Sequence, residues 1–180
     1  MEFIETGISG LVLIKPRVFD DGRGYFYEAY NKEVFDRNNI DVNFVQDNQS
    51  LSQKGVLRGL HFQRQPHEQG KLVRAINGAV LDVVVDIRKN SATYGKHYSV
   101  RLDEENKLML WVPAGFAHGF LTLEDNTIFH YKCTNVYNKP SEGGILWNDP
   151  ALGISWGIKD PVLSEKDKVL PLFTDFVSPF

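Results

Sequence analysis

The chain has 180 residues, of which 42% are hydrophobic, 12% aromatic and 24% charged, with a net charge of −3. That suits one domain spanning 1–180 with a real core, and the apolar content is too high for a disordered chain. The interspersed charge offers no basic stripe for nucleic acid, and no apolar run approaches the roughly 18 residues that a membrane span needs.

Met1–Glu5 lacks the basic patch and apolar run of a signal peptide. The single cysteine, Cys133, has no partner for an internal disulfide, so the expected compartment is the cytoplasm. From the N-terminus, Gly10–Ile14 reads as a strand. The turn signal Asp20-Asp21-Gly22 precedes another over Gly24–Tyr30. Lys32–Arg37, capped by Asn31, predicts a short helix. Val56–Phe62, Leu72–Ile76 and Ala79–Ile87 then read as strands, and Asn77-Gly78 between the last two is the strongest hairpin signal in the chain. Tyr98–Leu102, Leu108–Val112, Phe120–Leu123 and Thr127–Cys133 complete the strand set. Ser164-Glu165-Lys166-Asp167 fits a capping box and predicts a second helix from Ser164. Leu170–Phe180 is expected to pack on the surface as an irregular tail. The fold class is therefore all-β, a jelly-roll barrel or sandwich with a few short peripheral helices.

Ligands enter such barrels at the mouth, so ionisable residues beside aromatics are the candidates. Arg58 and His61 share one strand. In a straight strand they face opposite sides; they line one pocket only if the backbone bulges, which Gly59 permits. Alone, His61 reads more readily as a satisfied core histidine than as a catalyst, Arg58 as a surface ion-pair partner and Lys71 as a solvated strand start. Tyr131 shares a face with Phe129 and Cys133, opposite His130 and Lys132, and a tyrosine there is commonly core. Asp167 already has a capping role. His118 follows Pro113-Ala114-Gly115-Phe116-Ala117, similar to the second motif of a cupin barrel. The first metal-binding pair of such barrels is missing, because His61 is followed by Phe62 and Gln63. The expected site has no metal.

Together, Arg58–Gln63, Gln69–Arg74, Pro113–Phe120, Tyr131–Thr134, Trp147–Pro150 and Leu163–Asp167 closely resemble the dTDP-4-dehydrorhamnose 3,5-epimerase family, in order and from about Gly10 to Asp167. The resemblance implies a cupin-type jelly roll, a homodimer, no cofactor, and a dTDP-4-keto-6-deoxy sugar substrate in rhamnose biosynthesis. By position, His61 matches the catalytic base, Asp167 its carboxylate partner and Tyr131 the proton donor on the opposite face of the sugar. Lys71, with Arg58, matches the groups that stabilise the enolate oxygen. Arg23, Glu28, Phe19, Gln46 and Asn48 resemble nucleotide-binding positions, and Phe26 is an aromatic for the base to stack on. Tyr137 and Trp147 look like pocket wall, and His118 a pocket histidine. In relatives the segment around Arg23 reaches across the dimer into the partner's site.

The chemistry suits these residue types. A ketone at carbon 4 acidifies the protons on carbons 3 and 5, a histidine is a base near neutrality, and a cation stabilises the enolate. Three alternatives use the same residues or fold: an epimerase acting at one carbon only, a metal-dependent cupin enzyme, and a sugar-binding cupin without catalysis.

Overall fold

A computed structural model describes residues 1–180. In chain order the elements are β1 (Glu2–Glu5), β2 (Val12–Lys15), β3 (Val18–Asp21), β4 (Gly24–Tyr27), α1 (Lys32–Arg37), β5 (Gln46–Ser52), β6 (Leu57–Gln63), β7 (Lys71–Asn77), β8 (Ala79–Asp86), β9 (His97–Asp103), β10 (Met109–Val112), β11 (Phe116–Thr122), β12 (Thr127–Cys133) and β13 (Glu142–Gly144). One sheet has the order β1-β2-β10-β7-β12-β5, the other β13-β6-β11-β8-β9, and β3–β4 is a separate ribbon. Two facing antiparallel sheets make the expected jelly roll.

Three apolar layers hold the sheets. Between them, Val73, Leu110 and Phe129 of the first meet Val80, Val84 and Phe120 of the second. Outside the second sheet, Trp147, Leu152 and Trp156 cover Val83, Val85 and Leu121. Outside the first, Phe35 of α1 covers Ile14, Leu72 and Met109. β8 and β11 are thus covered on both faces, which is why they read as continuous apolar runs rather than alternating ones. Asn31 caps α1 as expected, its side-chain oxygen accepting from Val34 N at 3.3 Å.

Several expectations need correction. Asn77-Gly78 is no hairpin, since β7 and β8 lie in different sheets. The turn is a corner that carries the chain from one layer to the other. Gly78 has φ +70°, and a Cβ there collides with Thr127. A tight hairpin instead joins β3 to β4, with Phe19 opposite Phe26. The strand expected over Gly24–Tyr30 stops at Tyr27, and that expected over Phe120–Leu123 begins four residues earlier, at Phe116. The helix expected from Ser164 is a single 3-10 turn, Asp167–Val169. β5 carries no apolar alternation and was not expected at all. The tail packs as expected, with Phe176 and Phe180 edge-on to Phe62.

Candidate active site

A cavity of about 770 Å³ opens between the sheets, and strands distant in sequence supply its polar groups. Its geometry begins at a bulge. His118 pairs with His61 and Phe120 with Arg58, so a two-residue step on β11 spans a three-residue step on β6. The extra residue is Gly59, at φ +144°; a Cβ there lies 2.5 Å from Gly119 Cα. The insertion flips the alternation, so Arg58 and His61 both line the cavity. Leu60 and Phe62, between and beyond them, face the outer apolar layer.

His61 Nε2 lies 2.6 Å from Asp167 Oδ1. Asp167 is buried. Burial works to raise its pKa, but the bonds from His61 and from Ser164 outweigh it and hold the carboxyl below the usual range. The capping box is only half used: Asp167 N donates to Ser164 Oγ at 3.2 Å, while the carboxylate goes to the imidazole. An ionised Asp167 takes the Nε2 proton as an acceptor and leaves the Nδ1 lone pair of His61 free.

A second imidazole–carboxylate pair stands beside the first. His118 Nε2 lies 2.9 Å from Asp82 Oδ2, and both residues are buried. No three His, Cys, Asp or Glu side chains converge in the way a metal site needs.

Tyr131 projects from the inner face of β12, between Asn48 on β5 and Val73 on β7. Burial raises its pKa, and the nearby Arg58 only partly offsets that, so the phenol keeps its proton. Lys71 Nζ sits 5.8 Å from the centre of the Tyr131 ring. Burial lowers the Lys71 pKa. No carboxylate lies within ion-pair distance of this ammonium: Asp82, Glu142 and the Cys133 thiol act on it only from farther away. The cavity thus combines a carboxylate-held imidazole, a protonated phenol and an uncompensated cation.

The chain matches the family described as dTDP-4-dehydrorhamnose 3,5-epimerase over residues 5–175. It belongs to that family. Among curated relatives, the dTDP-4-dehydrorhamnose 3,5-epimerase of Salmonella typhimurium is 53% identical, covering 96% of this chain and 95% of its own. The crystal structure of the Elizabethkingia anophelis epimerase superposes with a TM-score of 0.92 at 50% identity, covering 97% of each chain. The Legionella pneumophila dTDP-6-deoxy-D-glucose 3,5-epimerase, solved with dTDP-4-keto-L-rhamnose, gives a TM-score of 0.94 at 46% identity, covering 98% of this chain and 94% of its own.

Within this epimerase fold the expected site residues separate into groups. His61, Asp167, Tyr131, Lys71, Arg58, His118, Asn48 and Tyr137 line the one cavity. Arg58 is steadied by Ser52 Oγ, which accepts from its guanidinium at 3.2 Å. Trp147 is a correction: it is buried in the outer apolar layer, where Trp156 donates to its carbonyl, and forms no pocket wall. Gln46 does not line the cavity; its Oε1 accepts from Tyr137 N at 2.8 Å. Phe19, Arg23 and Phe26 sit on the exposed β3–β4 ribbon, with Glu28 just after it, outside the cavity of their own chain. Sequence reasoning missed Glu142 and Lys166, an ion pair at 2.6 Å on the cavity rim, and Asp82 behind His118. Asp82 had a signal, a lone carboxylate breaking an apolar strand. Glu142, in Ser141-Glu142-Gly143-Gly144, had none.

No helix is long and apolar enough to cross a membrane.

Proposed function

We propose that this chain inverts carbons 3 and 5 of dTDP-4-dehydro-6-deoxy-D-glucose to give dTDP-4-dehydro-L-rhamnose through enolate intermediates. The observation that carries the reading is the convergence of His61–Asp167, Tyr131 and Lys71 in one cavity of a family member. His61 Nδ1 removes the proton beside the keto group, and Asp167 stabilises the imidazolium that forms. The electron pair moves onto the keto oxygen. The Lys71 ammonium stabilises that oxyanion more than the neutral ketone, a difference worth about 3 kcal/mol by analogy with oxyanion holes. Arg58 adds positive charge from the same strand as the base. Tyr131 then delivers a proton to the opposite face of the ring, inverting the carbon, and recovers one from solvent, while the His61 imidazolium releases its proton to solvent and is ready for the second carbon.

We infer a cytoplasmic homodimer with shared sites. Phe19 and Phe26, paired across the ribbon that also carries Arg23, are 51% and 70% exposed, an adjacent aromatic pair that its own chain leaves largely uncovered. In this reading the ribbon crosses to the partner, where Arg23 and Glu28 meet the nucleotide diphosphate and ribose side and an aromatic stacks on thymine. An Arg23→Ala protomer and a His61→Asn protomer, each inactive alone, then recover part of the activity when refolded together. No recovery refutes the shared site.

Turnover of the 4-keto sugar in deuterated water tests the reaction itself. The expected result is label at carbons 3 and 5, located by NMR. Label at one carbon only means a single epimerisation, and no label at either refutes the reaction class.

A further inference from the structure

The segment between β12 and β13 has little regular structure, yet its backbone is held at four successive residues. Gln69 Nε2 donates to Asn135 O at 2.8 Å. Gln63 Nε2 donates to Val136 O at 3.3 Å. Tyr137 N donates to Gln46 Oε1 at 2.8 Å, and Asn138 N to Gln63 Oε1 at 2.7 Å. Three glutamines from three separate stretches of chain grip one loop through its main chain.

Gln63 is the centre of this grip. It is 5% exposed, and its amide also donates to His67 O at 2.7 Å. Both ends of the amide are therefore used, as a buried amide requires. It lies two residues beyond His61 on the same strand, directly opposite Glu142 of β13. The only side chain of the gripped loop that enters the cavity is Tyr137. Its hydroxyl donates to Glu142 Oε2 at 3.3 Å. Tyr137 is 52% exposed, so packing does little to hold it. Its position is set by that one hydroxyl bond and by the backbone, and the backbone by the glutamines.

We propose that Gln63 is a positioning residue for the second epimerisation. Through the backbone of residues 135–138 it fixes Tyr137 as a rigid wall, which keeps the singly inverted sugar bound until its second proton exchange. The inference rests on the double-epimerase reading. It concerns retention of an intermediate, not the proton transfers, which His61 and Tyr131 perform. A loosened wall raises KM and lets the intermediate escape; it leaves the base and the donor in place.

The test compares wild type with Gln63→Met, similar in length and without polar ends, and with Gln69→Met, which loses a single bond. Turnover is followed by NMR in deuterated water, counting label at each carbon and the fraction of singly inverted sugar released. Gln63→Met is expected to keep its first exchange within about threefold while KM rises about fivefold or more and singly inverted sugar becomes a major product. Gln69→Met shifts both quantities the same way by less. Wild-type KM and product ratio in folded Gln63→Met overturn the proposal. So does loss of both exchanges together at unchanged KM, the mark of a damaged catalytic centre. Should Gln63→Met not fold, Gln69→Met decides, and wild-type behaviour there overturns the proposal. A wild type that takes up no label fails the reaction class instead.

Discussion

Lys71→Met is expected to make the protein more stable and almost inactive. Lys71 is half-buried and lines the cavity, its ammonium without an ion pair and with a pKa lowered by burial. Replacing even a paired buried charge by apolar volume ranges from neutral to a gain of about 1–4 kcal/mol, and an unpaired one has no Coulombic partner to lose. Lys71 keeps some contact with the open cavity, which places this case at the low end, about 1–2 kcal/mol. For a chain of this length that raises Tm by about 2–8 °C. The pH dependence carries the sign. Because the folded pKa lies below 10.5, the unfolded chain binds the proton more tightly, and wild-type stability rises with pH between the two values. The advantage of Lys71→Met is therefore full at neutral pH and shrinks as pH approaches 10.5. Losing the cation from the enolate oxygen costs about 10²–10³ in kcat. Thermal melts from pH 7 to 10.5, with sugar turnover at neutral pH, measure both effects. A lower Tm in the variant, or a stability gap that ignores pH, refutes the picture of an uncompensated cation held for catalysis.

His61→Ala is expected to lower turnover by about 10² or more while nucleotide-sugar affinity stays within about tenfold; normal turnover means another base. Gly59→Ala forces a Cβ against the Gly119 backbone at φ +144°, so a loss of about 3 kcal/mol or more in urea unfolding is expected, together with most of the activity. A loss under about 1 kcal/mol means the bulge is not fixed by this glycine. Asp86 is buried, which pushes its pKa up, but bonds from Arg88, Ser91 and Thr93 prevail and bring it down to about 2. A depressed carboxylate stabilises above its unfolded pKa and loses that contribution as pH falls through the folded value. Asp86→Asn is expected to cost about 2 kcal/mol at pH 7, with the gap to wild type closing between about pH 4 and pH 2. A gap constant with pH means the hydrogen bonds do not depend on the charge.

Much of the fold was legible because its strands are apolar on the faces that pack. What was not legible has physical causes. β5 has Asn48, Ser50 and Ser52 inward and Asp47 and Gln49 outward, so neither face carries the apolar alternation by which strands are read. Asn77-Gly78 announced a reversal correctly, but turn chemistry is local and does not say which strands hydrogen-bond afterwards. Gly59 was the readable clue in the site, since parity alone puts Arg58 and His61 on opposite faces. The His61–Asp167 contact spans 106 residues, and no local pattern encodes it. Only the ordered motifs shared with the family joined those two positions before the structure did.

The inner faces of four strands show how a jelly roll makes room for chemistry without losing its core. On β7 Lys71 precedes Val73; on β12 Tyr131 follows Phe129; on β8 Asp82 lies between Val80 and Val84; on β11 His118 lies between Phe116 and Phe120. Each polar residue is two positions from an apolar one on the same face, and those apolar neighbours all belong to the single layer between the sheets. The polar residues therefore come to the same region of the interior, each held by packed neighbours on its own strand. Tyr131 keeps its proton and Lys71 loses affinity for its own for one reason, the low polarity that this layer imposes. The same apolar layer that stabilises the fold thus tunes the acid and the cation.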